Sequence, residues 1–365
     1  MRKMLTAAAL AVATLTGAHA QEAKELNFGI ISTESSLNQK KNWEPFLAEM
    51  SKALGMPVKG FYATDYAAVI EGMRFKKIDL AWYGNKSAME AVDRANGEVF
   101  AQTRSADGSE GYYAHLIVHR DSPYQKLEDI LKCDKSIDFG IGDPNSTSGF
   151  LVPMSYVFGA KSIEPRNCFK TIRNANHQAN SMAVANKQVA AATNNSEDLQ
   201  RLEKNAPDAF KQIRVIWTSP LIPLDPIVWR KDLDPALKTK IYTFLMGYGR
   251  VGSAEDKAKS SQILKALIWA PFKPSNDSQL LPIRILEANR VLMKLQGEGA
   301  ETRKAEIEKV QAEIKDLQIR TDAAEKGPFK ARVARFLELD SSGDDAAIRK
   351  QIGEFAAAIQ ATPTN

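Results

Sequence analysis

Between residues 140 and 149 the chain reads Gly-Ile-Gly-Asp-Pro-Asn-Ser-Thr-Ser-Gly, with three hydroxyls in a row. The run follows a β-rich stretch, Ser136 to Ile141, and leads into a helix expected from Ser148 to Phe158. Hydroxyls and amides at a helix start combine unpaired donors with a partial positive charge, which suits a phosphate, phosphonate or sulfate. The same pattern also serves as a Ser/Thr cap and turn without any ligand. It is not a Walker loop, since no Gly-Lys-Ser/Thr follows, and it lacks the G-x-S-x-G of a nucleophile elbow.

Other chemistry is sparse. His115 and His119 form an H-x-x-x-H pair without the Glu of H-E-x-x-H, in a stretch that reads as a strand, so no zinc is expected. A secreted phosphomonoesterase would need a metal cluster or an activated nucleophile. Three histidines beyond His19 and two cysteines give little to build either from. No enzyme activity, metal or cofactor is expected. Cys133 and Cys168 are an even pair, for which a disulfide is expected in an oxidising compartment, with two buried thiols as the alternative.

The elements that must position these residues alternate in type. Leu26 to Ile31 is a short β-rich run, and Asn42 is expected to cap a helix carrying Trp43, Phe46, Leu47, Met50 and Leu54 on one face. Val58 to Ala63 and Ile78 to Tyr83 read as strands, and Asp65 to Phe75 as a helix. A further helix is expected from Ser87, where Ser87 and Glu90 match a capping box, ending at Asn96-Gly97. The pattern repeats with a helix at Ala179 to Asn186 and strands at Gln188 to Thr193, Ile213 to Trp217 and Ile227 to Trp229. Such alternation predicts βαβ units and a mostly parallel sheet in each of two α/β lobes. In open α/β sheets the ligand crevice lies beyond the carboxyl ends of the strands.

From Ile285 onward charges crowd in, and Ile307, Val310, Ile314 and Leu317 make a helical stripe of 3-4-3 spacing. It fits packing along the protein's own flank or a homodimer seam. The N-terminal MRKMLTAAALAVATLTGAHA has a basic start, an uncharged run and a small-x-small ending. It predicts a signal peptide cleaved after Ala20, export to a bacterial periplasm and no membrane anchor. Net charge is +5, with basic and acidic residues interspersed, so nucleic acid is not an expected partner.

Four segments carry a resemblance: Leu26-Asn-Phe-Gly-Ile-Ile-Ser-Thr-Glu-Ser35, Ile78-Asp-Leu-Ala-Trp-Tyr-Gly-Asn85, Gly142-Asp-Pro-Asn-Ser-Thr-Ser-Gly-Phe150 and Pro220-Leu-Ile-Pro-Leu-Asp-Pro-Ile-Val-Trp229. With Ala183 to Val189 and Ala192-Thr-Asn-Asn195, they resemble the periplasmic phosphonate-binding proteins of phosphonate ABC importers, from about residue 26 to 295. The resemblance implies a type II periplasmic binding fold, two α/β lobes on a two-strand hinge, closing over (2-aminoethyl)phosphonate or related organophosphonates for an importer permease. It implies that Ser146, Thr147 and Ser148 hold the phosphonate oxygens with His177 as an added donor. Tyr66 and Tyr112 would be contacts from the first lobe, and Glu197 and Asp225 would receive the ligand's ammonium. Without the resemblance, Glu197 reads as a first-turn residue balancing a helix dipole and Asp225 as a turn residue before Pro226.

The disulfide is not part of the resemblance, Tyr113 stands where the family has Trp, and the tail after about 297 is unmatched. The expected division is a signal peptide at 1–20, lobe one at 21–118 and 222–284, lobe two at 119–221 and a helical C-terminal extension at 285–365. Hinges are expected near Ala114 to Val118 and Trp217 to Ile222. Binders of phosphite, methylphosphonate or phosphate, and a sensor reporting occupancy to a membrane receptor, are the alternatives within this architecture.

Overall fold

The computed structural model describes residues 25–360, so the expected signal peptide lies outside the described residues. Lobe one begins with β1 (Leu26–Ile30), α1 (Ser36–Leu54), β2 (Val58–Tyr62), α2 (Tyr66–Arg74), β3 (Leu80–Trp82), α3 (Asn85–Arg94) and β4 (Gly97–Ser105). The chain crosses through β5 (Gly111–Tyr112) into lobe two. That lobe holds β6 (Ala114–His119), α4 (Leu127–Ile130), β7 (Asp138–Ile141), α5 (Pro165–Cys168), β8 (Thr171–Asn174), α6 (His177–Ala185), β9 (Ala191–Asn195), α7 (Ser196–Asn205), α8 (Pro207–Phe210) and β10 (Ile213–Thr218). It returns through β11 (Ile222–Pro223) to β12 (Pro226–Arg230), α9 (Pro235–Gly247), α10 (Ala254–Ala266) and β13 (Trp269–Pro274). Four helices follow: α11 (Leu281–Gly299), α12 (Lys304–Lys326), α13 (Pro328–Ser342) and α14 (Asp345–Gln360).

The sheets run β13-β4-β12-β3-β1-β2 and β10-β6-β9-β7-β8, joined by the ribbon β11-β5. Each is mixed rather than mostly parallel. The βαβ units β1-β2, β1-β3, β7-β8 and β7-β9 are parallel, while the strands that leave and re-enter each lobe, β4, β12, β6 and β10, pair antiparallel. Because β6 and β10 both lie in the second sheet, the crossover is the β5–β11 ribbon. The boundary expected after residue 118 and the hinge expected at Ala114 to Val118 therefore cut through a strand of lobe two.

Two local expectations shift by a few residues. Helix α1 starts at Ser36, capped by Ser35, which accepts from Asn38 N–H; Asn42 is internal, and Pro45 sits inside the helix. Helix α3 starts at Asn85, so the Ser87–Glu90 capping box does not form; Ser87 Oγ instead donates to Gly84 O at 3.0 Å.

Each lobe buries its own core. In lobe one Trp43 meets Phe28, Phe46, Trp82 and Trp269 edge-on or tilted, the geometry aromatic pairs prefer. In lobe two Phe139 stacks on Phe169 and meets Phe158 edge-on, beside the disulfide that joins Cys133 to Cys168. The C-terminal helices extend lobe one. Phe336 of α13 and Ile348, Ile352 and Phe355 of α14 are buried in its core. The stripe of α12 faces α11, with Val310, Ile314 and Leu317 against Leu281, Ile285 and Ala288. That stripe is covered by the protein's own chain and offers no dimer seam.

Candidate ligand-binding site

The cleft lies where the carboxyl ends of β1, β3, β7 and β9 meet, as expected of α/β sheets. It is a narrow cavity lined by Ile31, Thr33, Tyr66, Trp82, Gly84, Tyr112, Ser146, Thr147, Ser148, His177, Asn195, Glu197, Arg201 and Asp225. All eight residues expected to contact ligand line this one cavity.

The three hydroxyls owe their place to a pinched loop. Gly142 and Gly149 lie against each other, and a Cβ on Gly142 would fall 2.6 Å from Gly149 Cα. Pro153 has no N–H, so the carbonyl of Gly149 four residues earlier is released from helical bonding. It accepts instead from Gly142 N–H at 3.0 Å and Thr193 Oγ1 at 2.7 Å. The expected helix from Ser148 to Phe158 is accordingly two wide π-type turns, Thr147–Leu151 and Met154–Phe158, followed by a 3₁₀ turn.

Ser146, Thr147 and Ser148 are each 2% exposed, and each hydroxyl oxygen already accepts a hydrogen bond. Ser146 Oγ accepts from Gly149 N–H at 3.0 Å, Thr147 Oγ1 from Lys86 N–H at 2.9 Å, and Ser148 Oγ from Asn195 Nδ2 at 3.0 Å. The O–H protons of Thr147 and Ser148 remain to donate, Ser146 Oγ lies 3.5 Å from His177 Nε2, and the amides of Thr147 and Ser148 open a helical turn with no preceding carbonyl to take them.

His177 opens α6 and is buried and neutral. Burial, aided by the Arg201 charge, lowers its pKa to about 3. Asn195 Oδ1 is committed to Asp198 N–H, so its Nδ2 donates to His177 Nε2 at 3.1 Å. This leaves the proton on His177 Nδ1, which has no protein partner and is a further donor. Burial pushes the hydroxyls of Tyr66 and Tyr112 up, so both stay protonated. Tyr112 sits on the crossover ribbon rather than on a sheet of lobe one. Together these groups can surround a tetrahedral oxyanion.

Opposite this wall are two carboxylates. Glu197 is in the first turn of α7, half-buried, and Asp225 lies between β11 and β12, buried. Desolvation raises both, and Asp225 is raised further by the Glu197 charge, with Arg201 acting against both shifts. Asp225 Oδ1 and the Trp82 indole N–H are buried without a partner. A Cβ on Gly84 would stand 3.2 Å from Thr147 Oγ1 and 3.9 Å from Asp225 Oδ1, so glycine there leaves the space beside both groups unfilled.

The lobes touch across the cleft at more than one point. Tyr66 N–H donates to Asp143 Oδ2 at 3.1 Å and Ser35 N–H to Gln178 Oε1 at 2.8 Å.

Residues 28–280 match the family described as ABC transporter, phosphonate, periplasmic substrate-binding protein. The chain belongs to this family. The phosphonates-binding periplasmic protein of Escherichia coli K12 is 53% identical over 307 residues, 83% of this chain and 89% of that protein. A binding protein component of an ABC phosphonate transporter from Pseudomonas aeruginosa superposes with a TM-score of 0.80 at 48% identity, covering 83% of this chain and all of that one. PhnD1 from Prochlorococcus marinus, in complex with methylphosphonate, shares the fold at a TM-score of 0.63 and 23% identity, covering 72% of this chain and 97% of that one.

This phosphonate-binding protein is thus a substrate-binding component of an ABC transporter, with an α/β type II periplasmic binding fold. Among the described residues no helix is long and apolar enough to cross a membrane. Six lining residues were not among the expected contacts: Ile31, Thr33, Trp82, Gly84, Asn195 and Arg201. Asn195, the N-cap of α7, carries its signal in Asn-Ser-Glu, a cap before a helix start. Arg201 stands four residues after Glu197, on the same helical face. Trp82 ends a buried strand and carries no signal apart from its neighbours.

Proposed function

We propose that this protein captures organophosphonates bearing an amine, (2-aminoethyl)phosphonate in particular, and presents them to its importer permease in the periplasm. One observation carries this: a single cavity holds the hydroxyls of Ser146, Thr147 and Ser148 on one wall and the carboxylates Glu197 and Asp225 on the other. A phosphonate dianion suits the first wall, where donors and helix N-termini converge. An ammonium suits the second, because two desolvated carboxylates need opposite charge. His177, Tyr66 and Tyr112 complete the donor set around the anion. Residues 1–20 are proposed as the cleaved export signal.

Calorimetric titration with aminoethylphosphonate, methylphosphonate, phosphite and phosphate tests this. Aminoethylphosphonate should bind tightest. Equal affinity for methylphosphonate would remove the amine from the assignment, and binding of none of the four would overturn phosphonate capture altogether.

A further inference from the structure

Arg201 is a cation that the assignment above leaves without a task. It lies on α7 one helical turn after Glu197 and lines the same cavity as Glu197 and Asp225. Among the described residues its guanidinium makes no hydrogen bond and no ion pair within 4.0 Å. Its positive charge nevertheless reaches both carboxylates, His177 and Tyr66. Glu followed by Arg at i+4 is the favourable order for pairing on a helix.

The carboxylates pose a problem for any ligand without an amine. A methylphosphonate would leave Glu197 and Asp225 as like charges in a desolvated cleft, which is costly unless a cation meets them. The ligand brings none. A half-buried guanidinium on a flexible stem one turn away does.

We propose that Arg201 is a resident counter-cation that stands in for the ligand's ammonium on Glu197 and Asp225, widening the site to phosphonates that lack an amine. This inference rests on the phosphonate assignment made above. With aminoethylphosphonate the ammonium takes the carboxylates and Arg201 stays aside; with methylphosphonate Arg201 swings onto them. Arg201 therefore sets how strongly the protein discriminates between the two classes, rather than how well it holds the phosphonate group.

The test is calorimetry of the mature protein and its Arg201→Gln, Arg201→Lys, Glu197→Gln and Glu197→Gln/Arg201→Gln variants with aminoethylphosphonate and methylphosphonate. Arg201→Gln should shift the ratio of the two affinities at least about tenfold toward aminoethylphosphonate. Arg201→Lys, which keeps the charge, should restore most of the ratio. In the Glu197→Gln background the same change should shift it much less, because the charge that Arg201 answers is halved. Equal losses on both ligands in Arg201→Gln would place the guanidinium on the phosphonate and overturn the inference. An unmoved ratio would overturn it too. Wild-type protein that binds neither ligand would overturn phosphonate capture itself, a result distinct from both. Thermal melts of each variant separate misfolding from a loss of binding, and if Arg201→Gln melts early, Arg201→Met, which also removes the charge, takes its place with the same expected shift.

Discussion

Thr147 Oγ1 accepts a hydrogen bond of 2.9 Å from the backbone N–H of Lys86, so a hydroxyl of lobe two caps a helix of lobe one. Helix α3 begins after Gly84, which has no side chain to cap it. An N-terminal amide that would otherwise be orphaned is satisfied only when the lobes meet. The same hydroxyl has its proton left for a ligand, so closure and anion binding draw on one side chain.

Thr147→Val keeps the shape and removes both bonds. It should weaken every phosphonate alike, by about 1.5–3 kcal/mol, and adding Ser146→Ala should bring the loss to about 2–4 kcal/mol. The remaining backbone donors keep binding from vanishing. Small-angle scattering should show the wild-type radius shrinking with aminoethylphosphonate and Thr147→Val shrinking less at the same ligand excess. A variant with unchanged affinity and unchanged closure would move the anion wall elsewhere.

Glu197→Gln and Asp225→Asn should each cost aminoethylphosphonate at least about 2 kcal/mol. Methylphosphonate affinity should stay level or rise, since one of two like charges is gone. Equal losses on both ligands would mean that the carboxylates hold the cleft together and do not read the amine.

Selectivity should depend on pH, with a definite sign. Burial raises Glu197 and Asp225 in the closed cleft, against the pull of Arg201 and with Asp107 adding to the rise at Glu197. A closed form holding a carboxyl proton is therefore favoured at low pH, and that advantage is lost as pH rises through the raised values. Ammonium capture needs both carboxylates ionised, so aminoethylphosphonate must expel that proton. The affinity ratio of aminoethylphosphonate to methylphosphonate should fall as pH drops from about 8 to about 5. The ammonium acidifies its own phosphonate, so each affinity is referred to the phosphonate dianion before the ratio is taken; Asp198, which burial raises to about 6, lies behind the cavity on Ser181 in both complexes. A ratio that rises on acidification contradicts the charge assignment.

Much of this was legible in the sequence, and the exceptions have particular causes. The triple hydroxyl sat where a strand hands over to a helix, and Ser146 caps the turn that follows by accepting from Gly149 N–H. The wide turns after Thr147 were not legible as such, although Pro153, which releases the Gly149 carbonyl, was in view. The cap of α3 was invisible because its donor and acceptor are 61 residues apart in separate lobes. Strand β4 has no alternation to read, being buried on both faces along most of its length. The C-terminal stripe had two readings, and only packing against α11 decided between them.

That packing has a measurable consequence at Arg250. Its side chain is 1% exposed and ion-pairs through Nε with Asp340 Oδ1 of α13 at 2.9 Å, over the Phe336 ring. Burial lowers its pKa to about 10, against the pull of Asp340. Asp340→Asn leaves this charge buried without its counter-ion and should cost about 3 kcal/mol. Trp43, Trp82, Trp229 and Trp269 all report on lobe one, so tryptophan fluorescence should register the shift directly. Arg104, the second partner of Asp340, is 35% exposed, and Arg104→Gln should cost about 1 kcal/mol or less. If Asp340→Asn melts like wild type, the C-terminal helices are an appendage and not part of lobe one.

A crystal structure of the complex with (2-aminoethyl)phosphonate tests the central assignment most directly. The phosphonate oxygens should lie within about 2.5–3.0 Å of the Ser146, Thr147 and Ser148 hydroxyls, with the ammonium at hydrogen-bond distance from Glu197 and Asp225. A ligand bound in the reverse sense, or outside the cavity between the lobes, would contradict it.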